Sequence, residues 1–421
     1  MISLKRVGSA LALAGVVSLL TTGVEAHTVS RPVTSEDLDT IREKVSALSR
    51  VHLGGYGEAV FNYDFSGLRT SNSAALYDDS HGHAEFNIPR VVLMLGVNLG
   101  KGWGVETDVQ FENCKQVSID QFWIEKLFTP AAGLRAGYLT LPVGATNAHD
   151  DPLEFFGVNR PDGEDSILPC DWHQAGLSFY GEAGAWNYEG ILIPGLNTSL
   201  FSEDEWLALD GAGEQFSFSR GHDLAFAGRV DNSSVEGLRL SLSGYYGVSF
   251  NNRLAFMPSG EEQTEAGESR RIKGNVGFLS LDFLYDNYGW ILRGNGNWGR
   301  YSKSMKSIGM MEGVDGHRNQ AKSVFSAAFE GGYDIFSLCR SPRVNGQKFF
   351  VFGRYSYCQP GEGSDTFLGY EWGERQSLGF GVNYFPIEKV VVKAEYSHTF
   401  IAGGARIPML SLGVAYSGQF F

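Results

Sequence analysis

MLSLGVAYSGQF, residues 409 to 420, is the stretch whose reading decides the fold. Leu410, Leu412, Val414, Tyr416 and Phe420 fall on one face of an extended chain, and Ser411, Gly413, Ala415, Ser417 and Gln419 fall on the other. One face suits lipid and the other suits water. The same two-faced rhythm recurs in SLGFGVNYF, where Leu378, Phe380, Val382 and Tyr384 oppose Ser377, Gly379, Gly381 and Asn383, and in GVETDVQFE, where Val105, Val109 and Phe111 oppose Glu106, Asp108, Gln110 and Glu112. Period alone does not separate a membrane barrel from a soluble sandwich that hides its apolar face. The connections between the segments do that.

From Val51 to Phe421 the connections are by turns tight and long. The tight ones are LGKGW (Leu99 to Trp103), FTPAAG (Phe128 to Gly133), GEAGA (Gly181 to Ala185), NSSVEG (Asn232 to Gly237), YDNYG (Tyr285 to Gly289), FPIEK (Phe385 to Lys389) and the somewhat longer SLCRSPRVNG (Ser337 to Gly346). The others are mostly long and polar, with short exceptions near Asn113 and Ala402. Short turns on the periplasmic side and long loops outside are the mark of an outer-membrane barrel. Counting segments between turns predicts an all-β fold: an antiparallel transmembrane β-barrel of about sixteen strands over residues 51–421, with both ends periplasmic. Trp103, Trp186, Tyr188, Trp290, Phe385, Tyr416 and Phe420 fall near inner strand ends, where an aromatic girdle belongs.

Two further segments precede the barrel. Lys5 and Arg6, an apolar run from Val7 to Leu20 and the small-residue site Val24-Glu25-Ala26 read as a secretory signal peptide over residues 1–26. Residues 27–50 read as a periplasmic helix, with Thr34 and Asp37 at its start and Leu38, Ile41, Val45 and Leu48 forming an apolar seam. Two heptads are marginal alone, so the seam calls for a partner, either sister chains in a small coiled coil or the barrel mouth, and the alternative is a mobile leader.

A net charge of −14 over 421 residues argues against nucleic acid as a partner. Four cysteines are too sparse for a disulfide scaffold. Cys114 and Cys170 fall in outward connections of neighbouring hairpins and can pair, whereas Cys339 and Cys358 are expected at opposite strand ends. His81, His83, His149 and His173 show no ligand spacing beyond His81-Gly82-His83, so no metal or other cofactor is expected. Nothing matches G-x-S-x-G, and no nucleophile with an evident base points to an enzyme.

The longest loop, Leu141 to Asp171, is the third outer connection. Pro142, Pro152, Pro161 and Pro169 stiffen it, and Phe155 with Phe156 gives it an apolar foot. Two dispositions are open to such a loop: folded inward, or capping the mouth from outside. It carries Asp150, Asp151, Glu154, Asp162, Glu164 and Asp165 against the single Arg160. On the wall, alternation places Arg90, Arg135, Arg229, Arg239, Arg293, Arg354, Arg375 and Lys393 on the water side, together with Glu106, Asp108, Glu112, Asp120, Asp282, Glu330 and Glu395.

The stretch LPVGATNAHDDPLEFFGVNRPDGEDSILPCDWHQAGLSFYG, with its P-V-G-x-T-N-x-H, F-F-x-V-x-R-P-x-G-E and Trp172-His173 pieces, together with His81 to Glu112, resembles the bacterial outer-membrane porins grouped as phosphate-selective porins O and P. The resemblance covers about a quarter of the chain. It implies a sixteen-stranded, trimeric passive diffusion channel for small polar solutes or ions, embedded in outer-membrane lipid, with an inward third loop. Phosphate selectivity needs clustered Lys or Arg at the narrowest point, and the acidic third loop does not provide it. The expected arrangement is an acidic loop facing basic wall residues across a wet lumen. The rivals are a barrel plugged by its loops and used as a surface receptor, and a dedicated anion channel.

Overall fold

The computed structural model describes residues 50–66, 82–112, 116–149, 151–160, 162–165, 167–168, 172–195, 224–248, 275–301, 323–338, 346–359, 374–402 and 404–420. The signal peptide and helix expected within residues 1–50, apart from Arg50, lie outside this description, as do Asp150, Cys114, Cys170, Cys339 and Phe421.

Seventeen β-segments form one closed antiparallel sheet. They are β1 (Val51–Asp64), β2 (His83–Asn87), β3 (Arg90–Gly100), β4 (Trp103–Glu112), β5 (Gln116–Thr129), β6 (Ala132–Thr140), β7 (His173–Ala183), β8 (Trp186–Pro194) and β9 (Leu224–Val235). The remainder are β10 (Leu238–Val248), β11 (Asn275–Asn287), β12 (Trp290–Tyr301), β13 (Ser323–Asp334), β14 (Lys348–Gln359), β15 (Arg375–Ile387), β16 (Val390–Ile401) and β17 (Arg406–Gln419). Segments β2 and β3 both pair with β1 and count as one strand, interrupted at Ile88-Pro89 where proline has no N–H to donate. Val60 lies opposite Asn87 and Gly57 opposite Val91, so three steps on β1 match four on its partner, a one-residue bulge. The result is a sixteen-stranded barrel, closed by β1 against β17 through eleven partners from Gly54↔Gln419 to Asp64↔Met409.

Closure leaves the backbone no free sheet edge, which is what permits strands to cross lipid. The side chains show which face meets it. Along β17, Leu410, Leu412 and Val414 are exposed while Ser411, Gly413 and Ala415 are buried. Phe226, Leu240, Leu281, Phe329, Val351 and Phe380 are likewise exposed on other strands. A soluble sandwich would reverse this pattern.

The tight connections stand at one end of the barrel. At Lys101-Gly102 and Tyr288-Gly289 both residues have positive φ, 55° with 76° and 52° with 80°, the two-residue geometry whose twist suits a hairpin. Glycine is needed at the second position: a Cβ on Gly102 would lie 2.2 Å from the Leu127 carbonyl oxygen. Trp103, Trp186 and Trp290 stand exposed immediately after three of these turns, and the Tyr416 and Phe420 rings stack at 5.6 Å, so the girdle sits at the turn end as expected.

Candidate functional site

The third loop leaves the wall after β6 and returns at β7. Its neck is tied by Asn147, whose Nδ2 donates to the Leu141 carbonyl at 2.5 Å and whose Oδ1 accepts from the Trp172 N–H at 2.8 Å. Two single-turn helices follow from the chain: α1 (Ala145–Ala148) and α2 (Asp162–Asp165). Glu164 on α2 joins them, accepting the N–H groups of Ala145 and Thr146 at 3.1 and 2.7 Å, and it also accepts Asn295 Nδ2 on β12 at 2.8 Å.

Between these turns the loop crosses to the far wall and is bound there by inward-facing side chains. The Phe156 N–H donates to Glu330 at 3.2 Å, and its carbonyl accepts from Asn383 at 3.0 Å. The Val158 N–H donates to Glu395 at 2.9 Å. Asn159 exchanges hydrogen bonds with Asn62 and donates to Ser411 at 3.1 Å, while its carbonyl accepts from Arg354 at 2.9 Å. Lys393 Nζ donates to three loop carbonyls, those of Pro152, Phe155 and Gly157, at 2.6, 2.8 and 2.8 Å. Ser417 donates to Asp151. The Phe156 ring meets those of Phe350 and Phe352 at 5.4 and 5.3 Å, and Arg293 lies 5.1 Å from its centroid.

Charge on the inward face is mostly committed. Arg293 pairs with Glu330 at 2.6 Å, Arg229 with Asp282 at 2.8 Å and with Asp231 at 2.8 Å, and Arg354 with Glu395. Arg90 pairs with Glu58 at 3.2 Å and lies over Tyr56. Arg135 pairs with Glu125 at 3.3 Å and approaches Glu189 at 3.9 Å, sandwiched between the Trp123 and Tyr180 rings. Asp108 accepts from Gln121. Glu106 is half-buried and feels the Arg135 charge, and Arg375 stands half-buried at the start of β15.

These positions correct the picture of acid facing base across water in several places. Glu164 is only 1% exposed and works as a clasp within the loop rather than as a lumen acid. Lys393 and Arg90, at 3% and 4%, are covered rather than bathed, because the loop and neighbouring side chains occupy the space that alternation alone assigns to water. Asp120 falls in a bulge of β5, between the pairs Asp108↔Gln121 and Val109↔Ile119, so parity does not place it. It stands 3.6 Å from His173 Nδ1. Cys358 is buried. The side chains of Asp162 and Asp165 are outside the described residues.

The interior also holds an apolar cluster that polar-in, apolar-out alternation does not predict. Leu141, Val143, Ile167 and Leu168 of the loop pack with inward-facing Leu139, Ile191, Ile193 and Phe278. The Ile191 and Ile193 signal was present on β8, where the alternate positions Ile191 and Ile193 both face in and are apolar.

On the other side of the loop a cavity of about 320 Å³ remains between its 145–155 segment and the wall from β10 to β15. Glu154 faces it from the loop, held by His149 Nδ1 at 3.1 Å, and Arg239, Arg293 and Arg354 face it from the wall. Burial alone would raise the Glu154 carboxyl, but the His149 hydrogen bond and the charges of His149, Arg293 and Arg239 outweigh it and hold the group below its usual value. Among the described residues no group of three or more His, Cys, Asp or Glu side chains is gathered as a metal site would require.

With this geometry in view, comparison with solved structures places the fold among outer-membrane porins. An anion-selective porin from Comamonas acidovorans superposes with a TM-score of 0.53 at 9% identity, covering 87% of this chain and 99% of that one. The outer membrane channel DcaP of Acinetobacter baumannii gives 0.53 at 11%, covering 87% and 97%. OmpF of Salmonella typhi gives 0.52 at 10%, covering 88% and 97%. By sequence, an uncharacterized protein of Aquifex aeolicus (strain VF5) is 25% identical over 371 residues, spanning 82% of this chain and 75% of that protein. No protein-family model matches. The likeness is one of fold. An even-stranded closed barrel with an apolar exterior belongs to the bacterial outer membrane.

Proposed function

We propose that the chain is a passive diffusion channel for small hydrophilic solutes or ions, narrowed by the loop from Leu141 to Asp171. The observation that carries this reading is the fixed loop itself. It is bound to one part of the wall through Lys393, Glu330, Glu395 and Arg354, and leaves a charged cavity beside Arg239 and Arg293. A loop held at many points narrows a lumen reproducibly, which is what sieving by size requires. The cleavable signal over residues 1–26, the helix within residues 27–50 and homotrimeric assembly complete the proposal. They rest on the sequence pattern and on the resemblance to porins O and P. A phosphate filter is not part of it, because the wall bases are largely engaged by carboxylates or by the loop backbone.

The test is conductance of purified, folded protein in planar bilayers. Stepwise openings that scale with bulk salt support a channel, and silence from folded barrels contradicts it. A second reading, a barrel plugged for ligand capture, is favoured by one observation: the apolar cluster of Leu141, Val143, Ile167 and Leu168 against Ile191, Ile193 and Phe278 fills part of the interior. Deleting residues 147–166 separates the two. A channel gains conductance, whereas a plugged receptor stays silent when intact and loses its ligand or its fold when cut.

A further inference from the structure

Arg239 lines the cavity beneath the third loop and, among the described residues, forms no ion pair. Arg293 has Glu330, Arg354 has Glu395, Asp282 has Arg229 at 2.8 Å and Glu154 has His149 at 3.1 Å, while Lys348, Asp286 and Glu388 also line the cavity. Arg239 differs. Its Nε is closed to solvent and has no hydrogen-bond partner, and among the described residues no ion pair engages its guanidinium. A buried donor without an acceptor carries a desolvation cost that a bound anion removes.

Among the charged side chains around Arg239, part of the cavity wall is apolar. Leu153 and Phe155 of the loop and Ile291, Phe350 and Phe385 of the wall line the same cavity, and the Phe350 and Phe385 rings meet edge to face at 6.0 Å. Its volume, about 320 Å³, falls at the lower end of the range for small-molecule sites, roughly 300 to 1,000 Å³. A guanidinium fork matches a carboxylate through two parallel hydrogen bonds, and an apolar wall favours a ligand whose remainder is hydrocarbon. Alkali cations and simple sugars would leave that wall unused. Phosphate would leave it unused as well.

From this juxtaposition we infer that the cavity is a binding subsite for small organic carboxylates with an apolar body, the carboxylate on Arg239 and the body against Phe155, Phe350 and Phe385. The inference rests on the channel reading, which it deepens by giving a preferred solute class to the cavity on the permeation route. Glu330 is paired with Arg293, and Glu154 is hydrogen-bonded to His149 and feels the Arg239 charge without forming an ion pair with it.

The test is calorimetric titration of the intact, detergent-solubilised barrel with benzoate, cyclohexanecarboxylate, acetate and benzylammonium. The expected result is saturable binding of the first two, at least tenfold weaker binding of acetate, and no saturable binding of benzylammonium. Arg239→Gln, checked for folding by circular dichroism, is expected to weaken benzoate binding at least tenfold, and Arg239→Lys to restore part of it. Equal binding of benzylammonium and benzoate, or equal binding of acetate and benzoate, overturns the inference with the native protein alone. Unchanged affinity in Arg239→Gln overturns the assignment of the carboxylate to that residue. Because binding is read without current, a silent bilayer contradicts the channel reading and leaves these results to be judged separately.

Discussion

The Lys393 ammonium lies 2.8 Å from the Phe155 carbonyl oxygen and 4.2 Å from the centroid of the same residue's ring. One wall side chain thus holds both the backbone and the apolar foot of the third loop, and it reaches two more carbonyls at Pro152 and Gly157. Replacing it tests whether the loop's position depends on the wall. Lys393→Met removes the donor and leaves three carbonyls short of a partner. The expected cost is about 2 to 3 kcal/mol of barrel stability in urea unfolding, together with noisier single-channel current as the loop moves. Quiet current and unchanged unfolding would show that the loop is held elsewhere.

Gly332 faces the other half of the foot. A Cβ there would come within 2.4 Å of the Phe156 ring, in a place already closed by Phe350 and Phe352. Gly332→Ala is therefore expected to displace Phe156 and destabilise the barrel by about 1 to 3 kcal/mol, measured by urea unfolding, although alanine ordinarily suits a strand better than glycine.

The Glu164 clasp gives a pH dependence. Burial pushes its carboxyl up to about 7, against the N–H groups of Thr146 and Ala145, which favour the charged form. A carboxyl whose pKa is raised on folding binds its proton more tightly in the folded state, so its contribution to stability is present at low pH and falls as pH rises from the unfolded value, roughly 4.3, through about 7. The thermal unfolding temperature is expected to be higher at pH 5 than at pH 8 for this reason, and Glu164→Gln to flatten the difference. A variant with the same pH slope as the wild type would remove Glu164 from the account.

Glu154 behaves in the opposite way. Its carboxyl is held below the usual value, so it stays ionised between pH 5 and pH 8 and faces Arg239 and Arg293 across the cavity. Glu154→Gln is expected to move the reversal potential in a KCl gradient toward chloride by the same amount at both pH values. A shift that grows at one end of the range would mean that another group titrates there.

The barrel was legible in the sequence because its signals are local. Alternation in Leu410 to Phe420 names the lipid face, and the glycine turns at Gly102 and Gly289 mark the tight end. The loop's partners were not legible. Alternation states that Lys393, Glu395 and Glu330 point inward, but not whether water or chain meets them there. That depends on contacts 174 to 241 residues apart in sequence, as between Phe156 and Glu330 or Pro152 and Lys393. Asp120 escaped for a different reason, since a single bulged residue between Ile119 and Gln121 removes the parity on which the reading depends. Ile191 and Ile193 could have been noticed as an apolar inner face, and they mark where the loop's own Ile167 and Leu168 settle.

The central claim is that the third loop narrows a water-filled lumen without closing it. Single-channel recording of the folded, purified barrel in planar bilayers tests this most directly. The account predicts discrete conductance steps in the wild type and larger steps when residues 147–166 are removed from a barrel that still folds. Folded barrels that insert into the bilayer and pass no current would contradict it.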